Sequence, residues 1–365
     1  MSVRRPVRRG WLWVSAAAAL CVAPGARAFE VEPVGRLHVD YAAHDADVRP
    51  LDDDVLLRRA RIGVQGEFND RWSFEAEYDF VGHGAFKTVA LEYEGWKQGA
   101  FTIGQIKVPF GLEELTSSNN LVFIERALPG DSLSLSRRLG FAFDRNSDHY
   151  TVALMGFGPS IDGHEGNGAG ARFTLAPVNS DHAVLHVGVA AVTERARGDV
   201  KFNARPESRV TDVKFVNTGD LDDARQIHRL GLEAAWRNGP VSVQAEWMHA
   251  AIERNAGLAE VNVDGWYVAG SWFLTGESRP YRNGTFRSLK EYHRGGAWEL
   301  AARYSRLDLD DGAVRGGTES NWTLGVNYHA GKHLRIMANY IDVRSRRRGV
   351  ADDPRILLLR AQLAF

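Results

Sequence analysis

The sequence predicts an all-β fold, a transmembrane antiparallel β-barrel of about 16 strands with a long inward-folded constriction loop. Three observations support this prediction. Apolar and polar residues alternate along most of the chain, the connections between these segments alternate in length, and the last strand ends on a terminal phenylalanine. The chain has 365 residues and a mean hydropathy of −0.30, which is too polar for a bundle of membrane helices. Its aromatic content of 10% and its periodicity argue against disorder.

The N-terminus has the organisation of a secretory signal peptide. Four arginines before residue 10 precede an apolar stretch from Trp11 to Ala23, and the small-residue segment Ala26-Arg27-Ala28 follows. We therefore predict a signal peptide over residues 1–28 and an outer-membrane barrel domain over residues 29–365. Because the single cysteine, Cys21, falls in the signal peptide, the exported barrel would have no disulfide to stabilise it.

Alternation with a period of two residues identifies the strands. Between Trp72 and Phe80 every second residue is apolar, and the residues between them are one serine and three acidic residues. Sixteen such segments are centred near Leu37, Ile62, Ala76, Leu91, Ile103, Phe141, Val152, Phe173, Val187, Leu232, Val243, Val268, Ala302, Leu324, Ile336 and Leu359. Their spacing of roughly 21 residues fits a strand of about 10 residues that crosses a bilayer obliquely, plus its connection.

The connections between these segments are alternately short and long. Short links lie at 69–71, 145–148, 238–240 and 330–332. Long links lie at 45–54, 109–137, 157–167, 194–227 and 344–354. Short turns at one end and long loops at the other are typical of an outer-membrane barrel. One connection, from Thr275 to Gly295, should be short by its place in this order but has about 20 residues. Either a strand is missed there or the segment folds back under the barrel.

The last strand indicates a barrel of the outer membrane. Leu357, Leu359, Ala361, Leu363 and Phe365 share one face. An alternating strand that ends on a C-terminal Phe resembles the assembly signal of Gram-negative outer-membrane barrels. In lipid every backbone polar group needs a partner within the protein, so the sheet must close around a polar lumen. We therefore expect a barrel in the Gram-negative outer membrane, in contact with outer-membrane lipid and lipopolysaccharide.

One block of the sequence resembles a known family. Residues 104–118 read GQIKVPFGLEELTSS, and Phe123-Ile124-Glu125-Arg126 follow. This block is similar to the signature of the phosphate-selective porin O/P family. Supporting matches lie along the chain at Arg58-Arg59-Ala60-Arg61, Glu77-Tyr78-Asp79-Phe80, Gly296-Ala297-Trp298-Glu299-Leu300 and Trp322-Thr323-Leu324-Gly325. The resemblance implies a trimeric porin of 16 strands with an inward-folded loop, and an arginine ladder that passes phosphate or polyphosphate.

The residues of the same block predict the constriction loop independently. Proline cannot donate a hydrogen bond to a strand ladder, so strand pairing should stop at Pro109. The 29 residues from Pro109 to Arg137 exceed the length of an ordinary loop and are rich in Phe, Leu, Val and Ile. Folding against the barrel wall would bury those side chains and narrow the channel. The residues expected to shape and hold this loop are Pro109, Phe110, Gly111, Glu113 and Glu125.

Basic residues are the candidates for contact with permeating anions. The candidates are Arg59 and Arg61 on the wall, Arg126, Arg137 and Arg138 on the loop, and Lys107. Further arginines on polar strand faces are Arg36, Arg172, Arg229, Arg303, Arg335 and Arg360. Cations in a low-dielectric wall attract anions. In the competing interpretation the arginines only pair with lumenal carboxylates such as Glu77 and Asp79. Arg58, near a strand end, has a second possible place at the lipid headgroups.

The charge balance favours general anion permeation over phosphate specificity. Removing the predicted signal peptide removes five of the 45 Lys and Arg residues but none of the 46 acidic residues, so the mature balance is 40 − 46 = −6. Only seven of the basic residues are lysines, whereas phosphate-selective family members are expected to recruit anions with lysine clusters. Inorganic phosphate or other small anions are the expected solutes, and a general porin without phosphate selectivity is the alternative.

Signatures of other chemistries are missing from the sequence. The 12 histidines are scattered without an HExxH pattern, and neither a nucleophile elbow, a Walker loop nor a dinucleotide fingerprint occurs. We therefore predict a protein that is not an enzyme, with no catalytic or metal site, no cofactor and no nucleic-acid partner. The alternative from a different class is a barrel enzyme or adhesin that acts through the loop from Glu194 to Ile227.

Overall fold

The computed structural model describes residues 30–163, 165–197, 200–255, 257–289 and 292–365. The predicted signal peptide and its cleavage site after Ala28 lie outside these ranges. Within them the chain is almost entirely β-structure. Sixteen long strands and one three-residue strand belong to a single antiparallel sheet.

The elements are numbered in chain order. The barrel strands are β1 (Glu30–Asp45), β2 (Asp54–Asn69), β3 (Trp72–Asp79), β4 (Ala85–Trp96), β5 (Gly99–Lys107), β6 (Arg137–Asn146), β7 (Tyr150–Phe157), β8 (Asn167–Asn179), β9 (Ala183–Arg195), β12 (Ala224–Asn238), β13 (Val241–Arg254), β14 (Val261–Phe273), β17 (Ala297–Asp311), β18 (Val314–His329), β19 (Leu334–Arg347) and β21 (Arg355–Ala364). The short strands are β10 (Asn203–Ala204), β11 (Val216–Asn217), β15 (Tyr281–Arg282), β16 (Thr285–Phe286) and β20 (Val350–Asp352). The helices are α1 (Leu112–Leu115) and α2 (Leu128–Ser132).

The sheet closes through its first and last strands. Each long strand pairs with the next one along the chain, and β1 pairs with β21 from Arg36 opposite Ala364 to Asp45 opposite Arg355. Closure leaves no unpaired edge, as a sheet in lipid requires. Every predicted strand centre lies in one of the sixteen long strands, so the prediction of a 16-stranded antiparallel barrel is confirmed.

The alternation in the sequence separates the two faces of the wall. On β1 the side chains of Leu37 and Tyr41 are exposed on the outer face, whereas His38 and Asp40 are fully buried on the lumenal side. The same arrangement continues around the barrel and gives an apolar belt outside and a polar interior. Neither helix in the described part of the chain is long or apolar enough to cross a membrane.

The long connection from Thr275 to Gly295, apart from residues 290–291, leaves the end of the barrel with the short turns and folds back into the lumen. In this lumenal insert, β15 and β16 form a hairpin that places Phe286 against Leu112 of the constriction loop. Arg279 donates a hydrogen bond to Gln244 on the inner wall (3.0 Å). The sequence left two interpretations of this segment, a missed barrel strand or a segment that folds back. The structure shows that it folds back.

The constriction loop, residues 108–136, crosses the lumen as the sequence predicts. Phe110 is fully buried and lies over Gly231 of β12, where a Cβ would come within 3.2 Å of its ring. Gly111 adopts a left-handed φ of 82°, which a glycine tolerates without strain. The first two amides of α1 then donate to the Glu246 carboxylate on β13, at 2.6 and 2.8 Å. This carboxylate satisfies backbone donors that the short helix cannot.

A second extracellular-side loop also turns inward. The capping loop, residues 196–223 apart from 198–199, contains the hairpin of β10 and β11 and a fully buried Phe215. Its Glu207 accepts hydrogen bonds from Ser305 (2.5 Å) and Thr323 (2.7 Å) and pairs with Arg303 (2.7 Å). The described part of this loop therefore lies against the barrel wall instead of projecting from the mouth.

Replacing Phe110 should weaken the attachment of the constriction loop. We expect Phe110→Ala to lower the free energy of unfolding by about 3–5 kcal/mol, because truncating a fully buried aromatic side chain leaves a cavity. Urea unfolding of the purified protein in detergent micelles, followed by tryptophan fluorescence, measures the change. Leu258→Ala in an exposed loop is the control and should stay within about 0.5 kcal/mol of the parent. Equal effects of the two variants would contradict the assigned role of Phe110.

Candidate functional site

A polar cavity of about 250 Å³ lies between the constriction loop and the wall formed by β1–β6. Six cationic and three anionic side chains line it. The cations are Arg36, Arg59, Arg61, Lys107, Arg126 and Arg137, and the anions are Glu75, Glu77 and Glu114. The structure thus brings five of the six predicted anion-contacting residues to one place and adds Arg36. We call this cavity the basic constriction.

Two of the wall cations are paired with carboxylates. Arg36 donates to Glu77 (3.2 Å) and to the hydroxyl of Ser118 on the constriction loop (3.2 Å). Arg61 donates to Asp79 (2.7 Å) and lies 3.5 Å from Glu77. These pairs fix the two guanidinium groups in the cavity wall. For Arg36 and Arg61, the competing interpretation, in which the arginines pair with lumenal carboxylates, therefore holds in part.

Arg59 lies next to an irregularity of the sheet. The register between β1 and β2 shifts by one residue, since His38 opposes Arg59 and Val39 opposes Leu57. Arg58 is the extra residue of this bulge, and bulges redirect side chains. Arg59 donates to Nδ1 of His38 (3.2 Å), while its Nε is buried and has no hydrogen-bond partner among the described residues.

The bulge also turns Arg58 into the lumen. Its guanidinium donates two hydrogen bonds, of 2.7 and 3.1 Å, to the Glu125 carboxylate of the constriction loop. The alternative in which Arg58, near its strand end, reaches toward lipid headgroups is therefore wrong, because the bulge directs its side chain to the loop carboxylate inside the barrel.

Lys107 and Arg126 hold the loop as well as lining the cavity. Lys107 donates to the backbone carbonyls of Glu114, Leu115 and Thr116, which end α1. Arg126 donates to the carbonyl of Glu113 (3.2 Å) and pairs with the Glu114 carboxylate (2.9 Å). Cations are favourable at the carbonyl end of a helix. The charges of Lys107 and Arg126 are therefore partly used to stabilise the constriction loop.

Arg137 and Arg138 are neighbours in sequence but occupy different environments. Arg137 lines the basic constriction and donates to the hydroxyl of Thr88 (3.1 Å), and no described carboxylate lies within 4.0 Å of it. Arg138 instead pairs with Glu194 (3.2 Å), which also binds Arg229 (2.7 Å). Of the two, only Arg137 presents an uncompensated guanidinium to the cavity.

Most of the remaining wall arginines tie inserted segments to the barrel. Arg303 pairs with Glu113 (3.2 Å), and Arg335 donates to the carbonyl of Leu121 (2.7 Å). Arg360 bonds the Glu125 carboxylate (2.7 Å). Arg172 and Arg229 are likewise paired, with Glu233 and Glu194 respectively. None of these five lines the basic constriction.

The pKa values of the two carboxylates expected to hold the loop are shifted in opposite directions. Burial by itself would raise the pKa of Glu125, but Arg58, Arg360 and Arg59 hold that pKa well below its ordinary value. Burial raises the pKa of Glu113, and Arg303 opposes this only in part. Glu113 also accepts a hydrogen bond from the amide of Ala127 (2.9 Å), at the start of α2.

Sequence reasoning did not single out Glu246, Glu207 or Arg279, although all three hold the inserted segments. The signal for Glu246 was its inward position in the alternation of β13, but its partners are 133 and 134 residues away. Among the described residues, no group of three or more His, Cys, Asp or Glu side chains is arranged to hold a metal ion.

Comparison with known proteins gives a consistent picture. The family model of phosphate-selective porin O and P matches residues 31–365. Porin O of Pseudomonas aeruginosa is 26% identical over 373 residues, covering 89% of this chain and 85% of that protein. An uncharacterized protein of Caulobacter vibrioides is 28% identical over 344 residues, covering 87% of this chain and 68% of that protein.

Solved structures with the same fold include a porin and a further outer membrane protein. The anion-selective porin of Comamonas acidovorans has a TM-score of 0.61 at 12% identity, covering 93% of this chain and 100% of that chain. The trimer form of OmpT, an outer membrane protein of Vibrio cholerae, has a TM-score of 0.60 at 14% identity, with coverages of 93% and 100%. With the match over nearly the whole barrel, the chain belongs to the phosphate-selective porin O and P family and forms a channel of the Gram-negative outer membrane.

Proposed function

We propose that this porin passes small anions by passive diffusion and that the basic constriction selects them, with inorganic phosphate as the first candidate solute. The observation that carries the proposal is the excess of cations in the basic constriction, between the constriction loop and the barrel wall. Six cationic side chains meet three carboxylates there. A low-dielectric wall focuses this positive potential and raises the local concentration of anions.

Two guanidinium groups at the cavity have no described carboxylate partner. Arg59 and Arg137 both line the cavity and have no described carboxylate within 4.0 Å. Arg137 is half-buried and is placed to contact the solute, whereas Arg59 is 3% exposed and contributes mainly its charge. Guanidinium groups bind phosphate and carboxylate oxygens through two parallel hydrogen bonds. Conduction needs several weak sites in place of one tight site.

The alternatives differ in what the structure offers them. A general porin without phosphate selectivity needs only the positive field. An enzyme or adhesin that acts through residues 194–227 would need an accessible loop, yet Glu207, Ser208 and Phe215 are buried in the described part of that loop. We therefore rank the passive channel first. We also propose a homotrimer surrounded by outer-membrane lipid and lipopolysaccharide, supported by the family and by the apolar outer belt.

Removing the charge of Arg137 should reduce anion selectivity. We expect Arg137→Ala to lower the chloride-to-potassium permeability ratio about sevenfold, because a unit charge about 7 Å away contributes about 0.6 kcal/mol in water to each ion, with opposite sign for chloride and potassium. Reversal potentials of planar bilayers in a KCl gradient measure the ratio. The control is Arg138→Ala, which removes the same charge one residue away, where Glu194 keeps Arg229 as a partner (2.7 Å). A cation-selective parent channel would refute the proposed function, and equal effects of the two variants would remove Arg137 from it.

Phosphate recognition should depend on the guanidinium geometry and not only on charge. We expect phosphate to block the chloride current of the parent channel, and Arg137→Lys to weaken this block about tenfold while chloride selectivity is retained. Lysine keeps the charge but lacks the fork that binds two oxygens, and one charged hydrogen bond contributes about 1.5–3 kcal/mol. Single-channel current titrated with phosphate measures the block. If phosphate does not block the parent channel, the general porin is the better description.

A further inference from the structure

A second cavity of about 530 Å³ continues from the basic constriction toward the end of the barrel with the short turns. Glu75, Thr88 and Lys107 line both cavities, so the two are contiguous. The charge of the second cavity is opposite. Its ionisable lining residues are Glu30, Glu32, Glu67, Glu75, Glu92, Asp144 and Lys107. We call this cavity the acidic vestibule, since six carboxylates meet one ammonium group.

The charge of the lining residues changes from positive to negative along the strands. On β6, Arg137 and Asp144 are seven residues apart, which is roughly 24 Å at about 3.4 Å per residue in an antiparallel strand. On β2, Arg61 and Glu67 are six residues apart, or roughly 20 Å. The basic end of both strands lies at the constriction loop and the acidic end at the short turns. The charge therefore reverses along the axis of the path.

The vestibular carboxylates are not compensated by neighbouring cations. Within the described ranges, no Lys, Arg or His nitrogen lies within 4.0 Å of these six carboxylates. Glu32 accepts a hydrogen bond from the amide of Gln65 (3.2 Å), and Glu92 accepts one from the hydroxyl of Thr102 (3.4 Å), so neither of these donors is a cation. By contrast, Glu77 at the constriction and Glu125 on its loop each contact two arginines. The negative potential of the vestibule is directed into the water-filled path.

A simple anion meets opposite fields in succession. The guanidinium groups attract it into the constriction, and the carboxylates below then oppose its exit. Each added negative charge increases this opposition, so a polyanion is disfavoured most. An ammonium group on the same solute would enter the vestibule while the anionic group is still at the arginines. Such a solute has a favourable partner in both cavities.

We propose that this porin favours small solutes that carry both an anionic group and an ammonium group, over anions of the same shape and over polyanions such as polyphosphate. The inference rests on the anion pathway proposed for the basic constriction and narrows its solute class. The basic constriction has the smaller volume, about 250 Å³ against about 530 Å³, and in this proposal it sets the sign of salt selectivity. The acidic vestibule then discriminates among the anions that the constriction admits.

The test compares two solutes that differ only by the ammonium group. Proteoliposomes containing the full-length porin are assayed for osmotic swelling in 2-aminoethylphosphonate and in propylphosphonate, which replaces the ammonium by a methyl group. We expect the amino compound to enter about three- to tenfold faster. In Glu92→Gln/Asp144→Asn, which leaves four of the six carboxylates, the preference should fall clearly below that of the parent channel. Glu260→Gln, a carboxylate in an exposed loop, is the control and should keep the preference of the parent.

The outcomes separate this inference from the proposed function. Equal entry of the two phosphonates into liposomes with an anion-selective parent channel would overturn the inference alone. A preference that survives the double substitution would do the same. A parent channel that prefers potassium over chloride would instead overturn the proposed function. If the double variant fails to assemble, Glu30→Gln/Glu32→Gln serves in its place, because both residues are exposed at the start of β1.

Discussion

The constriction depends on a buried ion cluster centred on Glu125. Arg58 and Arg360 both bind this carboxylate, at 2.7 Å each. Arg360 is held in turn by Asp40 on β1 (2.6 and 2.7 Å) and donates to the carbonyl of Ile124 (2.5 Å). Removing one partner of such a buried group leaves an uncompensated charge and costs about 3–5 kcal/mol. The cluster fixes the constriction loop to three strands, β1, β2 and β21, which include the seam where the barrel closes.

The other contacts of the loop extend this attachment to the opposite wall. Glu246 on β13 binds the first amides of α1, and Arg303 on β17 binds Glu113. The capping loop shares Arg303 through Glu207, and the lumenal insert packs Phe286 against Leu112. The three inserted segments thus support one another across the lumen. Two contiguous cavities, the basic constriction and the acidic vestibule, lie along β1–β6.

The arginines divide into two groups with different consequences for function. Those whose charge is matched by a buried carboxylate, such as Arg303 and Arg172, contribute mainly to holding inserted segments. Arg59 and Arg137 line the constriction without a described carboxylate within 4.0 Å, and the proposed function assigns the field in the pore chiefly to them. A count of arginines along the chain therefore overstates the number that meet the solute. The adjacent pair Arg137 and Arg138 shows how completely two neighbours can differ.

The sequence by itself determined the strands, the closed barrel and the inward constriction loop, because alternation, loop length and apolar content are local properties of the chain. It also marked Arg59, Arg61, Arg126 and Arg137 as lumenal candidates. Only the tertiary structure decided the place of Arg58, since one extra residue in β2 reverses the alternation there. It likewise decided which arginines are neutralised, because partners such as Arg360 and Glu125 are 235 residues apart. The face of the sheet on which a side chain lies follows from the local pleat of its strand. Charge compensation depends on contacts that exist only once the barrel has closed.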